Sequence, residues 1–284
     1  MNGIIIKNIS NDYTIFSEKK EYICKARGKF RKDKITPLVG DKCIFDPEKK
    51  YIIEIEKRKT ELVRPPVANI DQAFIITSAK EPDFSSNLLD KLLCIIEYNN
   101  IKPIICFTKL DLLNKEEINN IENIIKYYKK IGYQVFKNTE IEEIKKQFKN
   151  KKTVFTGQSG AGKSTLLNRL DKNLNLKTNE ISQALGRGKH TTRHVELLNL
   201  YDGLIADTPG FSSLEFNDMT KEDIRDNFIE FNIYRHKCEY KDCMHISEKN
   251  CKIKEELEKG NILKSRYENY LKFITRWLCY QYRY

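Results

Sequence analysis

The spacing of apolar residues changes along the chain, and each change marks a region. Between residues 1 and 64 they come in short runs: "GIIIKNI", "DYTIF", "EYICKA", "DKCIF" and "YIIEIE". Each run has strand length and is rich in β-branched or aromatic residues. Turn formers separate the runs at Asn11-Asp12, Gly28, Gly40-Asp41 and Asp46-Pro47. Five such strands in so short a segment predict a small β-barrel. "RPPVAN", Arg64 to Asn69, reads as a linker, because paired prolines stop regular structure.

Two spacings then alternate. "QAFIITS", "KPIICFTK", "YQVFKN" and "KTVFTG" are apolar runs of strand length, whereas "NLLDKLLCIIEYNN", "KEEINNIENIIKYYKKIG", "EIEEIKKQFKN" and "KSTLLNRL" have helical spacing. Alternating strands and helices predict a mostly parallel, doubly wound sheet over residues 65–215, with "YDGLIADTPG" as a hairpin strand and terminal loop. Residues 216–284 are polar and helical, ending in amphipathic helices. The expected fold class is therefore multidomain α/β: a β-barrel at 1–64, an α/β domain at 65–215 and a helical domain at 216–284.

Charge adds a partner class. The 284 residues carry a formal net charge of +11, above the magnitude of about 2–8 ordinary for a small domain. That favours a polyanion (RNA, DNA or an anionic membrane), although a general lysine bias would also produce it. In "CKARGKFR" the basic residues Lys25, Arg27, Lys29 and Arg31 alternate. On a strand, period two would place all four on one face, suited to a nucleic-acid backbone. The start lacks a signal-peptide pattern, and no apolar run approaches the ~18 residues of a spanning helix, so a soluble cytoplasmic protein is expected.

The candidate chemistry begins with "VFTGQSGAGKSTLLN". Gly157, Gln158, Ser159, Gly160, Ala161, Gly162, Lys163 and Ser164 match G-x-x-x-x-G-K-S, followed by Thr165, with a strand before and a helix after. The glycines allow a tight turn whose N–H groups face phosphate oxygens, and the helix N-terminus adds positive charge. Lys163 is expected on the β- and γ-phosphates and Ser164 on Mg²⁺. "LIADTPG" supplies Asp207, at a strand end where a carboxylate holds Mg²⁺ through water, and Gly210, whose N–H faces the γ-phosphate. Between them, "GRGKHTTRH" offers Thr191 or Thr192 as a switch threonine.

"TKLD" contributes Thr108, Lys109, Leu110 and Asp111 after an apolar strand. In guanine-specific GTPases the equivalent loop reads N-K-x-D. Its Asp accepts two N–H bonds from the guanine edge, a donor pair that adenine lacks. Here this motif precedes the phosphate loop, the reverse of the usual order, so the domain reads as circularly permuted. A parallel sheet tolerates permutation when the old ends lie close together. "KNTE", Lys137 to Glu140, stands where a final base-contacting loop is expected and matches it poorly.

Eight cysteines are present. Cys238, Cys243, His245 and Cys251 form C-x4-C-x-H-x5-C, a donor set for one closed tetrahedral zinc site of structural type. His236 precedes the first of these cysteines and fits less well. Cys24, Cys43, Cys94, Cys106 and Cys279 lie in apolar or mixed contexts and read as buried thiols.

Barrel, then "TKLD … GQSGAGKS … HTTR … DTPG", then C-x4-C-x-H-x5-C resembles the ribosome small-subunit-dependent GTPase A family (RsgA) over essentially the whole chain. "VGDKCIF" and "GNILKSRYENYLKF" also resemble that family's barrel motif and terminal helix. The resemblance implies an N-terminal OB-fold barrel, a circularly permuted P-loop GTPase domain and a C-terminal zinc domain. It also implies binding to the 30S subunit and its 16S rRNA during late maturation, with one structural Zn²⁺, and Mg²⁺ with GTP. A monomer is expected.

In Ras-like enzymes a glutamine after D-x-x-G orients the attacking water. Phe211 stands there and has no hydrogen-bonding group. Slow intrinsic hydrolysis is expected, with His190 or His194 as the candidate for orienting water on the ribosome. Two other classes fit parts of the pattern: a non-hydrolytic zinc-containing RNA-binding module, and an ATPase or adenine-nucleotide kinase.

Overall fold

The structure is a computed structural model and describes residues 1–63, 66–171, 196–207, 215–216 and 219–281. In chain order the strands and helices begin with β1 (Asn2–Ile9), β2 (Asp12–Ser17), β3 (Lys20–Ala26), α1 (Gly28–Lys32), β4 (Lys42–Asp46), β5 (Tyr51–Ile55), β6 (Glu61–Val63) and β7 (Pro66–Ala68). There follow β8 (Gln72–Ser78), α2 (Ser86–Tyr98), β9 (Lys102–Thr108), α3 (Lys115–Lys130), β10 (Gln134–Lys137), α4 (Ile141–Lys146), β11 (Lys152–Gly157) and α5 (Lys163–Leu170). The remaining ones are β12 (Glu196–Leu200), β13 (Gly203–Asp207), α6 (Lys221–Asp226), α7 (Ile229–Tyr234), α8 (Lys252–Glu258) and α9 (Lys264–Gln281). The chain forms two compact units, the first of Met1–Phe74, Asn138–Thr156 and Gly162–Ser212, the second of Ile75–Lys137, Gly157–Ala161 and Ser213–Tyr284.

In the first unit the five predicted strands close on themselves. β1 pairs with β2 and β4, β2 with β3, β3 with β5, and β5 with β4. That ring has no free edge, which is the barrel solution to unpaired strand hydrogen bonds. Ile5, Ile15, Cys43, Phe45 and Ile52, all at 0% exposure, fill it. "VGDKCIF" has a physical reason to be where it is. Gly40 has φ +95°, and a Cβ there would lie 2.0 Å from the Ala68 carbonyl oxygen, so only glycine fits. Asp41 is fully buried and accepts the Leu38 N–H at 2.7 Å and two guanidinium N–H bonds from Arg58, each at 2.8 Å.

Two expectations need correction. The linker holds structure: β6 and β7 form an antiparallel pair in which Val63 faces Pro66. Pro66 is the first residue of its strand, where a missing N–H costs no ladder bond. The basic row is not one strand face either. β3 ends at Ala26, and Lys29 and Arg31 belong to α1, so strand periodicity does not align the four residues. Phe30, 6% exposed, turns inward and sets that helical turn. Lys25, Arg27 and Lys29 are exposed.

The first unit also contains β11, paired parallel with β13, and the antiparallel hairpin β12–β13. β12 pairs with β1 at Lys7 and Glu196, which also form an ion pair at 2.9 Å. The buried Lys152 joins the two parts of this unit. Its ammonium donates to the Gly40 carbonyl at 2.8 Å, and its N–H donates to Asp71 at 2.8 Å.

In the second unit β8, β9 and β10 lie side by side, β9 and β10 parallel, with Phe107 opposite Lys137. α2 starts at a Ser85 cap, and α3 starts at a capping box of Asn114 and Glu117. α2 packs on α9, and a buried ion network ties them together. Arg266, 1% exposed, makes two bonds to Glu230, at 2.8 and 2.7 Å, and one to Asp90 at 2.8 Å. Asp90 also accepts from Tyr128 at 2.6 Å and Asn269 at 2.7 Å. Cys24, Cys43, Cys94 and Cys106 are buried thiols, as expected, and the Cys279 side chain lies outside the described residues. Among the described residues no helix is long and apolar enough to cross a membrane.

Candidate nucleotide site and metal centre

The phosphate loop is built as its spacing requires. β11 ends at Gly157 with φ +133°, where a Cβ would lie 2.0 Å from the Ile76 carbonyl oxygen. Gly160 and Gly162 have φ +77° and +88°, the left-handed region that glycine enters without strain. Gly162 caps α5, so Lys163, Ser164 and Thr165 form its first turn, with N–H groups that no helix carbonyl satisfies. Ser164 is 8% exposed, Lys163 is half-buried and Thr165 exposed. Gln158 is half-buried, Ser159 exposed, and the Ala161 N–H donates to the Gln158 carbonyl at 3.1 Å.

The base loop reaches this cradle inside the second unit. Thr108 ends β9 at 2% exposure, and its hydroxyl donates to the Ala161 carbonyl at 2.6 Å across 53 residues of chain. Lys109 follows at φ +56°, and its ammonium donates to the Glu81 carbonyl. Leu110 and Asp111 begin a 3-10 turn, Leu110 half-buried and Asp111 exposed. Lys137 lies in parallel register with Phe107, so the degenerate loop leaves β10 at the same end as Thr108 leaves β9. Asp207 is the last residue of β13. His190, Thr191, Thr192, His194, Gly210 and Phe211 lie outside the described residues.

The metal-site residues come together completely. The donor atoms of Cys238, Cys243, His245 and Cys251 lie within 4.8 Å of one another. His245 Nδ1 is 3.4 Å from the Cys251 sulfur and 3.7 Å from the Cys238 sulfur. Zn–S bonds of ~2.3 Å and Zn–N of ~2.0 Å at tetrahedral angles give S···N edges of about 3.5 Å, so the cluster fits zinc. Cys238 follows a 3-10 turn, Cys251 caps α8, and His245 takes φ +61° to face both. Burial pushes the His245 ring down to about 4, which keeps it neutral and able to ligate. Burial, and then the neighbouring thiols, push Cys243 up to about 12. Thiols raised in this way need a cation to become thiolates.

A shell around the cluster fixes its loop. Glu248 accepts the N–H groups of Met244 and Ile246, both at 2.7 Å, and the Tyr267 hydroxyl donates to the His245 carbonyl at 2.6 Å. His236 is exposed and outside the cluster. Sequence reasoning missed this shell and the Glu81 contact of Lys109, because carboxylates, tyrosines and backbone carbonyls carry no motif.

Comparison with known proteins agrees with the geometry. The sequence pattern of the RsgA N-terminal domain matches residues 2–52, and that of the RsgA GTPase matches residues 55–217. The small ribosomal subunit biogenesis GTPase RsgA 2 of Oceanobacillus iheyensis is 50% identical over 280 residues, covering 96% of each chain. The RsgA protein of Latilactobacillus sakei is 50% identical over 281 residues, covering 95% of this chain and 94% of its own. Among solved structures, YloQ, described as a circularly permuted GTPase, superposes with a TM-score of 0.83 at 38% identity, covering 97% of this chain and 94% of its own. YjeQ from Thermotoga maritima gives a TM-score of 0.86 at 33% identity, covering 98% of both chains. A closed five-stranded barrel, a guanine-type loop that precedes the phosphate loop yet bonds to it, and a Cys₃His cluster place this chain in the RsgA family of circularly permuted GTPases.

Proposed function

We propose that the protein is a ribosome biogenesis GTPase that binds the 30S subunit through 16S rRNA, assists its late maturation and hydrolyses GTP to GDP and phosphate. The observation that carries this reading is the Thr108–Ala161 hydrogen bond, which ties the base loop to the phosphate loop and supports their serving one nucleotide. Asp111 reads the guanine edge, and Lys109 lays its stem over the base. The backbone from Gly157 to Gly162, with Lys163 and Thr165, holds the phosphates. Ser164, with Asp207 through water, holds Mg²⁺, which neutralises phosphate charge when bound with GTP. Gly210 faces the γ-phosphate, Thr191 or Thr192 reports its presence, and His190 or His194 orients water once the ribosome is engaged.

The working division is a barrel at 1–64, a GTPase domain at 65–215 and a zinc domain at 216–284, in a cytoplasmic monomer. Lys25, Arg27, Lys29 and Arg31 contact rRNA. Tyr51, 43% exposed and paired with Lys25 across β3 and β5, adds an aromatic face to the same patch. The zinc centre is structural, since all four of its positions are protein donors.

The test is GTP hydrolysis measured with and without purified 30S subunits. A slow basal rate that rises many-fold with 30S is expected. A rate indifferent to 30S contradicts the proposal. Replacing His190 and His194 separately then decides the water-orienting group, and unchanged stimulated rates in both remove that assignment.

A further inference from the structure

The segment between β8 and α2, residues 79–85, belongs to none of the nucleotide motifs, yet within the second unit it touches both loops of the site. On the base side, the Ala79 N–H donates to the Thr108 carbonyl at 3.0 Å, and the Glu81 carbonyl accepts the Lys109 ammonium. On the phosphate side, Pro82 lies beside Gly160, where an added Cβ would meet its Cδ at 3.6 Å. Ser78 fixes the start of the segment: its hydroxyl, on a residue 1% exposed, donates to the Lys80 carbonyl at 2.6 Å.

The same segment holds the far end of the base loop. After Lys109 the chain makes a 3-10 turn over Leu110–Leu112 and reaches Asn114, the cap of α3. The Glu117 carboxylate accepts the Asn114 N–H at 2.8 Å, and its two oxygens accept the Lys80 ammonium at 2.9 and 3.0 Å. The Asn114 N–H first, and then Lys80, hold the Glu117 carboxyl below its ordinary value, so the pair is charged at neutral pH. Residues 108–114 are thus closed at both ends onto Lys80 and Glu81, with Asp111 exposed between them.

This closure holds strained backbone. Lys109 and Glu81, which bond to each other, have φ +56° and +53°, the left-handed region that residues with side chains seldom adopt. Such conformations persist where the surroundings fix them, and they gather at ligand sites. The Lys80 and Glu117 side chains are 34% and 36% exposed, and an ion pair so open to water adds little to stability. What the pair sets is geometry: a carboxylate that must meet two N–H groups on one base edge tolerates little displacement. We propose that Lys80 and Glu117 are positioning residues for base recognition, their ion pair holding residues 108–114 in the form in which Asp111 meets the guanine edge before the nucleotide arrives. The inference rests on Asp111 as the guanine reader, and it adds the groups that place that carboxylate.

Displacement of a fluorescent GDP analogue from the zinc-loaded full chain, by GDP and by inosine diphosphate in the presence of Mg²⁺, decides it. Inosine lacks the 2-amino group and offers Asp111 one N–H instead of two, so the wild type should prefer GDP about tenfold or more. Lys80→Met and Glu117→Ala should each weaken GDP several-fold and inosine diphosphate less, shrinking the preference about threefold or more. Lys80→Arg keeps an ion pair and should retain the preference. Asn114→Ala removes a cap of the same helix but leaves Lys80 and Glu117 paired, and its preference should stay near the wild-type value. No change, or equal losses for the two nucleotides, in Lys80→Met overturns the proposal. An equal fall of preference in Asn114→Ala also overturns it, because fraying of α3 would then explain the effect. A wild type that does not distinguish the two nucleotides contradicts the Asp111 reading itself, and the positioning role falls with it.

Discussion

Two buried polar clusters hold the helices at the carboxyl end of this protein, and they differ in how they are assembled. The Cys₃His cluster draws its four donors from residues 238–251. The Arg266 network draws Asp90 from α2, Tyr128 from α3, Glu230 from α7, and Arg266 and Asn269 from α9, with Arg266 and Asp90 separated by 176 positions. The first is local and made of rare residue types, so its spacing declares it. The second is made of common charged residues brought together by tertiary packing, and nothing in the sequence distinguishes them from surface charges. A metal centre can hold a segment with little core of its own. A buried ion network works only where the surrounding fold already supplies the geometry.

The largest effect should come from breaking the local cluster. Zinc contributes about 10–16 kcal/mol in small zinc-binding peptides at neutral pH. Cys251→Ala is therefore expected to abolish stoichiometric zinc, measured by metal analysis, and to lower the melting temperature more than any substitution below. Acid sharpens the same point. Burial holds Cys243 up near 12, so the metal-free thiol carries its proton at neutral pH and zinc must displace it. Apparent zinc affinity should then fall with falling pH, about tenfold per unit for each thiol that must lose a proton. His245, pushed down to about 4, stays neutral until that range and adds no proton dependence above it. Competition with a chromophoric chelator across the neutral range measures the slope; a flat profile contradicts thiolate ligation.

The distant network comes next. Arg266→Met leaves Asp90 and Glu230 buried without their cation, a loss of about 3–5 kcal/mol. Denaturant unfolding measures it. A companion variant with Arg266→Met, Asp90→Asn and Glu230→Gln should recover part of the loss, because no unpaired charge remains. Equal destabilisation in both would mean that packing, not charge, is what Arg266 supplies.

A smaller effect is expected at the junction of the two nucleotide loops. Thr108→Val keeps the shape, removes the hydroxyl and leaves the Ala161 carbonyl unsatisfied, costing about 1–3 kcal/mol. Guanine nucleotide binding, read with a fluorescent GDP analogue, should weaken about tenfold while the fold persists. Unchanged binding would mean that the two loops are positioned independently of this bond.

Legibility followed locality across the whole chain. The strand runs "QAFIITS" and "KTVFTG" and the helix "KSTLLNRL" appear with the boundaries their periodicity suggests, because each is set by residues a few positions apart. "RPPVAN" did not read as a strand because Pro66 is admissible only through its place at the start of β7. "CKARGKFR" misled for the opposite reason: charge alternation suggested a strand, while the chain from Gly28 on forms α1 with Phe30 buried. The phosphate loop was legible from the G-x-x-x-x-G-K-S spacing between a strand and a helix. That Thr108 would bond to it was only an inference from motif order, since the contact spans 53 residues and depends on where β9 and β11 end.

The account rests on one nucleotide being read by an aspartate encoded before its phosphate cradle. Nucleotide binding by Asp111→Asn, compared for GDP and xanthosine diphosphate, tests this most directly. The account predicts that GDP affinity collapses and the xanthosine nucleotide, whose edge suits an amide, becomes the preferred ligand. GDP binding as tight as in the wild type, with no gain for the xanthosine nucleotide, would contradict it.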